Sequence, residues 1–365
     1  MTYKLEMKKP DGRALILYGD EPFPEGMSAP QPPGPPVRAH TQLRWHPFRG
    51  EWVAYASHRQ ERTFLPPPGW DPLGPTEPGG EPTELPSGAW KIAVFENRFP
   101  SLAPEAPAPD PTIVETRPGT GVCEVVVYTP NAVGSLGELP LARLELLLEV
   151  WADRTQALGA REHIAYVMPF ENRGAEVGAT LAHPHGQIYA YPFVPPIPAR
   201  ELEEQAEHFA KHGRGLLEDH LQAELREGKR VLWQGEEALS FVPAFARYPY
   251  EAWVAPLAPA PSLSALTGPQ RHDLAVALRD LVLRYDAVRH APFPYVMVVH
   301  QAPTDGTPHP EAHVHFEFYP LYRSPERLKY LAGTEIGAGM FTNDSLPEAK
   351  AAELQALASE PARRG

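Results

Sequence analysis

The stretch A-H-P-H-G-Q-I-Y-A-Y (182–191) and its later echo H-V-H-F-E-F-Y-P (313–320) decide how this chain is built. His183-Pro184-His185 recurs as His313-Val314-His315, 130 residues on, and Tyr191-Pro192 as Tyr319-Pro320, 128 residues on. Ahead of them, Tyr166-Val167-Met168 recurs as Tyr295-Val296-Met297, 129 residues on. A common offset and a shared order point to an internal duplication. In each half two strand-like segments precede a helix; a strand, a loop and a strand carrying His-x-His follow. That order lacks the regular alternation of a parallel βαβ sheet. The expected class is α+β, mainly antiparallel, with helices packed outside.

Outward from this core, Y-K-L-E-M and R-A-L-I-L-Y-G flank Lys9-Pro10-Asp11-Gly12, a β-hairpin signature. Residues 22–36 and 66–86 are proline-rich, and prolines cannot donate to a sheet ladder, so both read as loop or polyproline. Segments 90–95, 123–129, 163–170 and 186–193 read as strands, and 141–158 as a helix with Pro140 at its first position. Residues 199–227 form an amphipathic helix broken near Gly213 and Gly215. Strands near 239–243, 252–256, 295–300 and 313–320 follow, with a helix over 270–290 and a charged helix over 345–360. The predicted divisions are an N-terminal hairpin and arm (1–43), a first half (44–198), a second half (199–345) and a C-terminal helix and tail (346–365).

Composition sets limits on function. The 365 residues are 42% hydrophobic, enough for a sizeable core, and carry 33 basic against 46 acidic side chains, a net charge of −13. So acidic a chain has no general attraction for phosphate backbones or anionic membranes, so neither nucleic acid nor a membrane is an expected partner. A small anionic ligand needs only a local basic pocket. The single cysteine, Cys123, excludes a disulfide framework and cysteine-rich zinc modules. No apolar run approaches the ~18 residues of a bilayer span, and the start is not a signal peptide. The expected location is the cytoplasm.

On a strand, residues i, i+2 and i+4 project from one face. His183, His185 and Gln187 would then form a row of two imidazoles and a carboxamide. The alternative is a pair of buried, hydrogen-bonded histidines, but three polar groups on one face are costly to bury without purpose. Imidazole is a competent nucleophile that forms covalent intermediates. Gln187 supplies an N–H donor without a titrating proton, so it can hold a phosphoryl oxygen without acting as an acid. That suits transfer between phosphates, because a sugar-phosphate leaving group is already a stable anion. Between the strands, Glu171-Asn172-Arg173-Gly174 through Gly178-Ala179-Thr180 reads as a joining loop whose glycines allow close backbone approach to a phosphate or sugar.

A second cluster holds His300, His309, His313 and His315, with His313 and His315 expected on one strand face. Imidazoles at this density suit zinc or ferrous iron, with a carboxylate completing the set. A polar loop of solvated histidines is the alternative, and His309, flanked by prolines, is the bystander.

These residues together resemble a known family. F-E-N-R-G (170–174) with H-P-H-G-Q-I (183–188) resembles the signature of galactose-1-phosphate uridylyltransferases, in the histidine-triad superfamily. The stretches at 44–53, 90–102, 293–303 and 313–320 are similar to other family segments in the same order, covering about residues 44–345. The resemblance implies two histidine-triad-like repeats and a ping-pong exchange of UMP between UDP-glucose and galactose 1-phosphate. His185 would be the nucleophile and Gln187 the phosphoryl-binding residue. Substrate contacts would come from Asn97, Asn172, Gly178, Ala179, Thr180, Arg323 and Lys329. Arg59 and Arg62 would come from the neighbouring subunit of a homodimer.

The resemblance also implies a structural zinc or iron ion held by Glu201, His300, His313 and His315; Glu201 lies fourteen residues beyond Gln187, the family's separation. A first-half zinc site, formed in many members by C-x-x-C, a histidine and the first His of H-P-H-G-Q, is expected to be absent. Residues 66–88 contain no cysteine and Ala132 stands at the second histidine's place, leaving His183 to orient its neighbours. Three alternatives remain open: a nucleotidyltransferase or phosphorylase using other nucleoside diphosphate or dinucleotide donors, a cupin-like metalloenzyme, and a non-catalytic metal-stabilised binding module.

Overall fold

A computed structural model describes residues 2–33, 39–61, 69–289 and 291–357. Its strands are β1 (Tyr3–Lys8), β2 (Ala14–Gly19), β3 (Thr41–His46), β4 (Glu51–Ala56), β5 (Ile92–Glu96), β6 (Thr116–Pro118) and β7 (Val122–Val127), then β8 (Tyr166–Arg173), β9 (His185–Tyr191), β10 (Val231–Gln234), β11 (Ala238–Phe241), β12 (Ala252–Pro256), β13 (Tyr295–His300) and β14 (His315–Pro320). The main helices are α1 (Leu141–Gly159), α2 (Pro196–His212), α3 (Leu216–Glu227), α4 (Gly268–Arg289) and α5 (Pro347–Gln355).

Among the described residues eleven strands form one sheet in the order β1-β2-β5-β7-β9-β8-β13-β14-β12-β11-β10, with neighbouring strands antiparallel. The order carries the duplication. Reading outward from the β8–β13 seam gives β8-β9-β7-β5 on one side and β13-β14-β12-β11 on the other, with α1 and α4 at equivalent places in the chain. The α+β class and the two repeats therefore stand as expected. The N-terminal hairpin joins the same sheet: β2 pairs with β5 and extends it.

Helix α1 forms because Leu144, Leu147, Leu148, Trp151, Thr155 and Leu158 recur at helical spacing and are buried. Each large apolar side chain in that stripe contributes roughly 1.5–3 kcal/mol over exposure. Pro140 is the residue before the helix rather than its first turn. Helices α1 and α4 cover one sheet face over the principal core. On the opposite face β4-β3-β6 form a small separate sheet, where Leu43 and Trp52 pack with Tyr189, Tyr191 and Cys123. The 199–227 helix breaks as expected: Gly213 adopts φ +67° and closes α2 with its N–H on Phe209 O, before α3 begins.

Four local expectations change. Strand β8 runs through Arg173, so Glu171, Asn172 and Arg173 end a strand instead of opening a loop. His183 precedes β9 and His313 precedes β14, so neither shares a ladder with the histidine two residues on. For His183 the reason is Pro184, which has no N–H to give a ladder. Strand β10 was not anticipated.

Candidate active site

Strand β9 lies between β7 and β8, with His185 opposite Val127 and Gln187 opposite Val125 and Phe170. His185, Gln187 and Tyr189 alternate with the buried Gly186, Ile188 and Ala190, so the three share the face away from α1. The expected row therefore holds for His185 and Gln187 and loses His183. The ring of His183 is buried, with Nδ1 2.6 Å from Asp71 Oδ2 and Nε2 2.7 Å from Thr129 O.

The nucleophile candidate is held by its own chain. His185 Nδ1 donates to the carbonyl oxygen of His183 at 2.7 Å, which places the lone pair of a neutral ring on Nε2. A cavity of about 580 Å³ opens beside it, lined by residues 132–135, 171–175, 178–185 and 292–294. It gathers His183, His185, Asn172, Gly178, Ala179 and Thr180 from the expected list. Gly174 (φ +100°) and Gly178 (φ +78°) turn the lining loop through conformations that side chains with a Cβ rarely adopt.

Other expected residues stand elsewhere. Gln187 is on the His185 face but is not among the lining residues. Arg59 Nη1 donates to Ser101 Oγ at 2.6 Å and to Phe99 O at 3.2 Å, beside Tyr189. Asn97 accepts the Phe99 N–H at 2.9 Å. Arg323 faces Asp344 at 3.6 Å, and buried Lys329 donates to Thr342 O near Glu335. Arg62 lies outside the described residues.

Beneath the site is a group that sequence reasoning passed over. Glu171 is fully buried on the helix side, accepting from Tyr295 Oη at 3.2 Å and Tyr128 Oη at 3.4 Å. Burial pushes its carboxyl up to about 7, against the pull of Arg173 and the two hydroxyls. Gly186 makes room for this: a Cβ there would sit 2.1 Å from Tyr128 Oη and 2.8 Å from Phe170 O. Asp71 was passed over too, as one acid inside a proline-rich loop. Its carboxyl is desolvated, yet the bond from His183 and the Leu73 and Gly74 amides hold it below the usual carboxylate range.

In the second half, ligand atoms of Glu201, His300, His315 and Glu317 lie within 4.8 Å of one another. Glu317, two residues from His315 on one strand face, was legible in H-V-H-F-E but not singled out. His313 also lines the small cavity between Glu201, His300 and His315. Its Nε2 donates to Pro256 O at 2.8 Å, while its buried Nδ1 has no hydrogen-bond partner. Burial draws this ring down to about 4, so at neutral pH Nδ1 carries a lone pair. A ring nitrogen bound to a backbone carbonyl with its mate left open is the arrangement metal ligands adopt. The donors present fit a divalent cation.

Models of the galactose-1-phosphate uridyl transferase N-terminal and C-terminal domains match residues 36–195 and 201–363. The chain belongs to the galactose-1-phosphate uridylyltransferase family. A galactose-1-phosphate uridylyltransferase of Thermotoga maritima is 34% identical over 319 residues, covering 86% of this chain and 98% of that protein. One of Rattus norvegicus is 32% identical over 340 residues, covering 87% and 88%. Among solved structures, a uridylyltransferase superposes with a TM-score of 0.78 at 35% identity, over 86% of this chain and 97% of that one. An ADP-glucose phosphorylase of Arabidopsis thaliana shares the fold at TM-score 0.66 and 23% identity, over 87% of this chain and 98% of that one. As a family member the chain is a nucleotidyltransferase. No helix among the described residues is long and apolar enough to cross a membrane.

Proposed function

We propose that the chain exchanges UMP between UDP-glucose and galactose 1-phosphate by a ping-pong mechanism through His185. The observation that carries this is the 2.7 Å bond from His185 Nδ1 to the His183 carbonyl at the edge of the 580 Å³ cavity. With Nδ1 committed as a donor, Nε2 attacks the α-phosphorus of UDP-glucose and glucose 1-phosphate departs with the bonding pair. A phosphate oxygen of galactose 1-phosphate then attacks the uridylyl-imidazole, releasing UDP-galactose and restoring the ring. Gln187 donates to the phosphoryl oxygens as charge develops. Asn172 and the 178–180 loop meet the nucleotide.

Glu201, His300, His313 and His315 hold one zinc or iron ion, with Glu317 beside them. Bound there, the ion cross-links α2 to β13 and the start of β14, a structural duty. The working unit is a homodimer in the cytoplasm. Arg59 does not line its own chain's cavity, which supports assigning Arg59 and Arg62 to the neighbouring subunit's site. Asn97, Arg323 and Lys329 complete the substrate contacts. On this reading the 44–198 half supplies the nucleophile and the 199–345 half the metal-held scaffold.

The test is steady-state exchange with both substrates varied. Parallel double-reciprocal lines and loss of at least about 10⁴-fold in a folded His185→Ala variant are expected. Intersecting lines, or turnover in that variant, would overturn the reading.

A further inference from the structure

We propose that Asp71 is a positioning residue for uridylyl transfer, holding His183, and through it His185, where the family uses a first-half zinc ion; this rests on the reading above. The residues present do not fit that zinc. Residues 66–88 hold no cysteine, Ala132 offers no ligand, and both nitrogens of His183 are occupied. Each ring nitrogen faces an oxygen at hydrogen-bond distance, one on the Asp71 carboxylate and one on the Thr129 carbonyl, so neither is open to a metal in this arrangement.

The clasp has anchors on two sides. One acceptor, Thr129 O, lies two residues beyond the end of β7. The other, Asp71, has its second oxygen on the Leu73 N–H at 3.0 Å, and its loop is pinned by Thr76 N–H on Leu85 O at 2.9 Å. Leu73 and Leu85 are buried with Trp90, and Leu181 packs against them. The imidazole is buried, with Asp71 Oδ2 2.6 Å from its Nδ1 and Thr129 O 2.7 Å from its Nε2. Fixing this ring fixes the peptide whose carbonyl receives His185 Nδ1–H. One residue on, Tyr128 N–H holds Pro184 O at 3.1 Å. Where the family resemblance implies a zinc ion, this chain has the hydrogen-bonded His183–Asp71 pair.

The test compares Asp71→Ala and Asp71→Asn with the parent enzyme, in single turnover with UDP-glucose. Asp71→Ala should slow uridylyl-enzyme formation on the order of tenfold with KM for UDP-glucose unchanged. Asn, which retains a hydrogen-bonding amide, should recover part of that. Parent-like rates in Asp71→Ala, or a fall in folded fraction with an unchanged rate per folded molecule, would overturn the proposal. A silent parent would instead refute uridylyl transfer. The comparison would then be read from site-resolved modification of His185 by diethyl pyrocarbonate, where a rate in Asp71→Ala equal to the parent's overturns it. The parent in excess zinc should bind none that depends on His183; a zinc ion lost in His183→Asn would also overturn it.

Discussion

The ring of His185 is oriented by the backbone of His183, not by its side chain: Nδ1 meets the His183 carbonyl at 2.7 Å while the His183 ring turns away to Asp71 and Thr129. Two histidines two residues apart thus do different work. The first is a buried strut and the second presents a nitrogen to the cavity.

Gln187 shares the His185 face and offers no transferable proton. Replacing it with histidine adds a group that can activate water and protonate a leaving group. Gln187→His should therefore raise water-dependent UMP release from UDP-glucose while lowering transfer to galactose 1-phosphate. Release of UMP measured without acceptor checks this, and no increase would count against the role given to the amide.

Glu201→Ala and His313→Ala should each lose bound metal, measured by elemental analysis. A site saturated at about 100 times its dissociation constant contributes about 2.7 kcal/mol, so melting should fall more than turnover per folded molecule. Retention of a full metal complement in His313→Ala would remove its Nδ1 from the ligand set and favour Glu317.

Gly186→Ala should destabilise by about 1–3 kcal/mol, because the new methyl meets Tyr128 Oη and Phe170 O. Adding Tyr128→Phe should recover part of the loss, since it removes the closest atom but leaves Phe170 O. Denaturant midpoints of the single and double variants decide this; independent, additive effects would contradict the packing described.

Glu171 gives a pH signature. Its folded value of about 7 lies above the usual 4.5, so its contribution is fully present below about pH 4.5 and lost as pH rises through 7. The difference corresponds to on the order of 3 kcal/mol. Glu251, also buried and also pushed by burial to about 7, loses stability in the same window. Glu171→Gln should flatten part of the decline between pH 5 and 7.5 in a series of melting curves; an unchanged slope would contradict it.

Much of this was legible in the sequence. The 128–130-residue offsets reflect two strands and a helix repeated about the β8–β13 seam. Residues at fixed strand spacing, His185 and Gln187, kept the face assigned to them. What could not be read was long-range: Asp71 reaches His183 across 112 residues and Tyr295 reaches Glu171 across 124. No local pattern marks such partners. His183 and His313 fall outside the rows read for them because their strands begin only two residues later, at His185 and His315, and side-chain alternation begins with the strand; for His183 the cause is Pro184, which has no N–H to give a ladder.

The protein should be incubated with UDP-glucose alone, quenched and digested, and its peptides sequenced by mass spectrometry. A single UMP adduct on His185, discharged by added galactose 1-phosphate to give UDP-galactose, is expected. No adduct under conditions of active exchange, or an adduct on any other residue, would show that His185 does not carry the nucleotide.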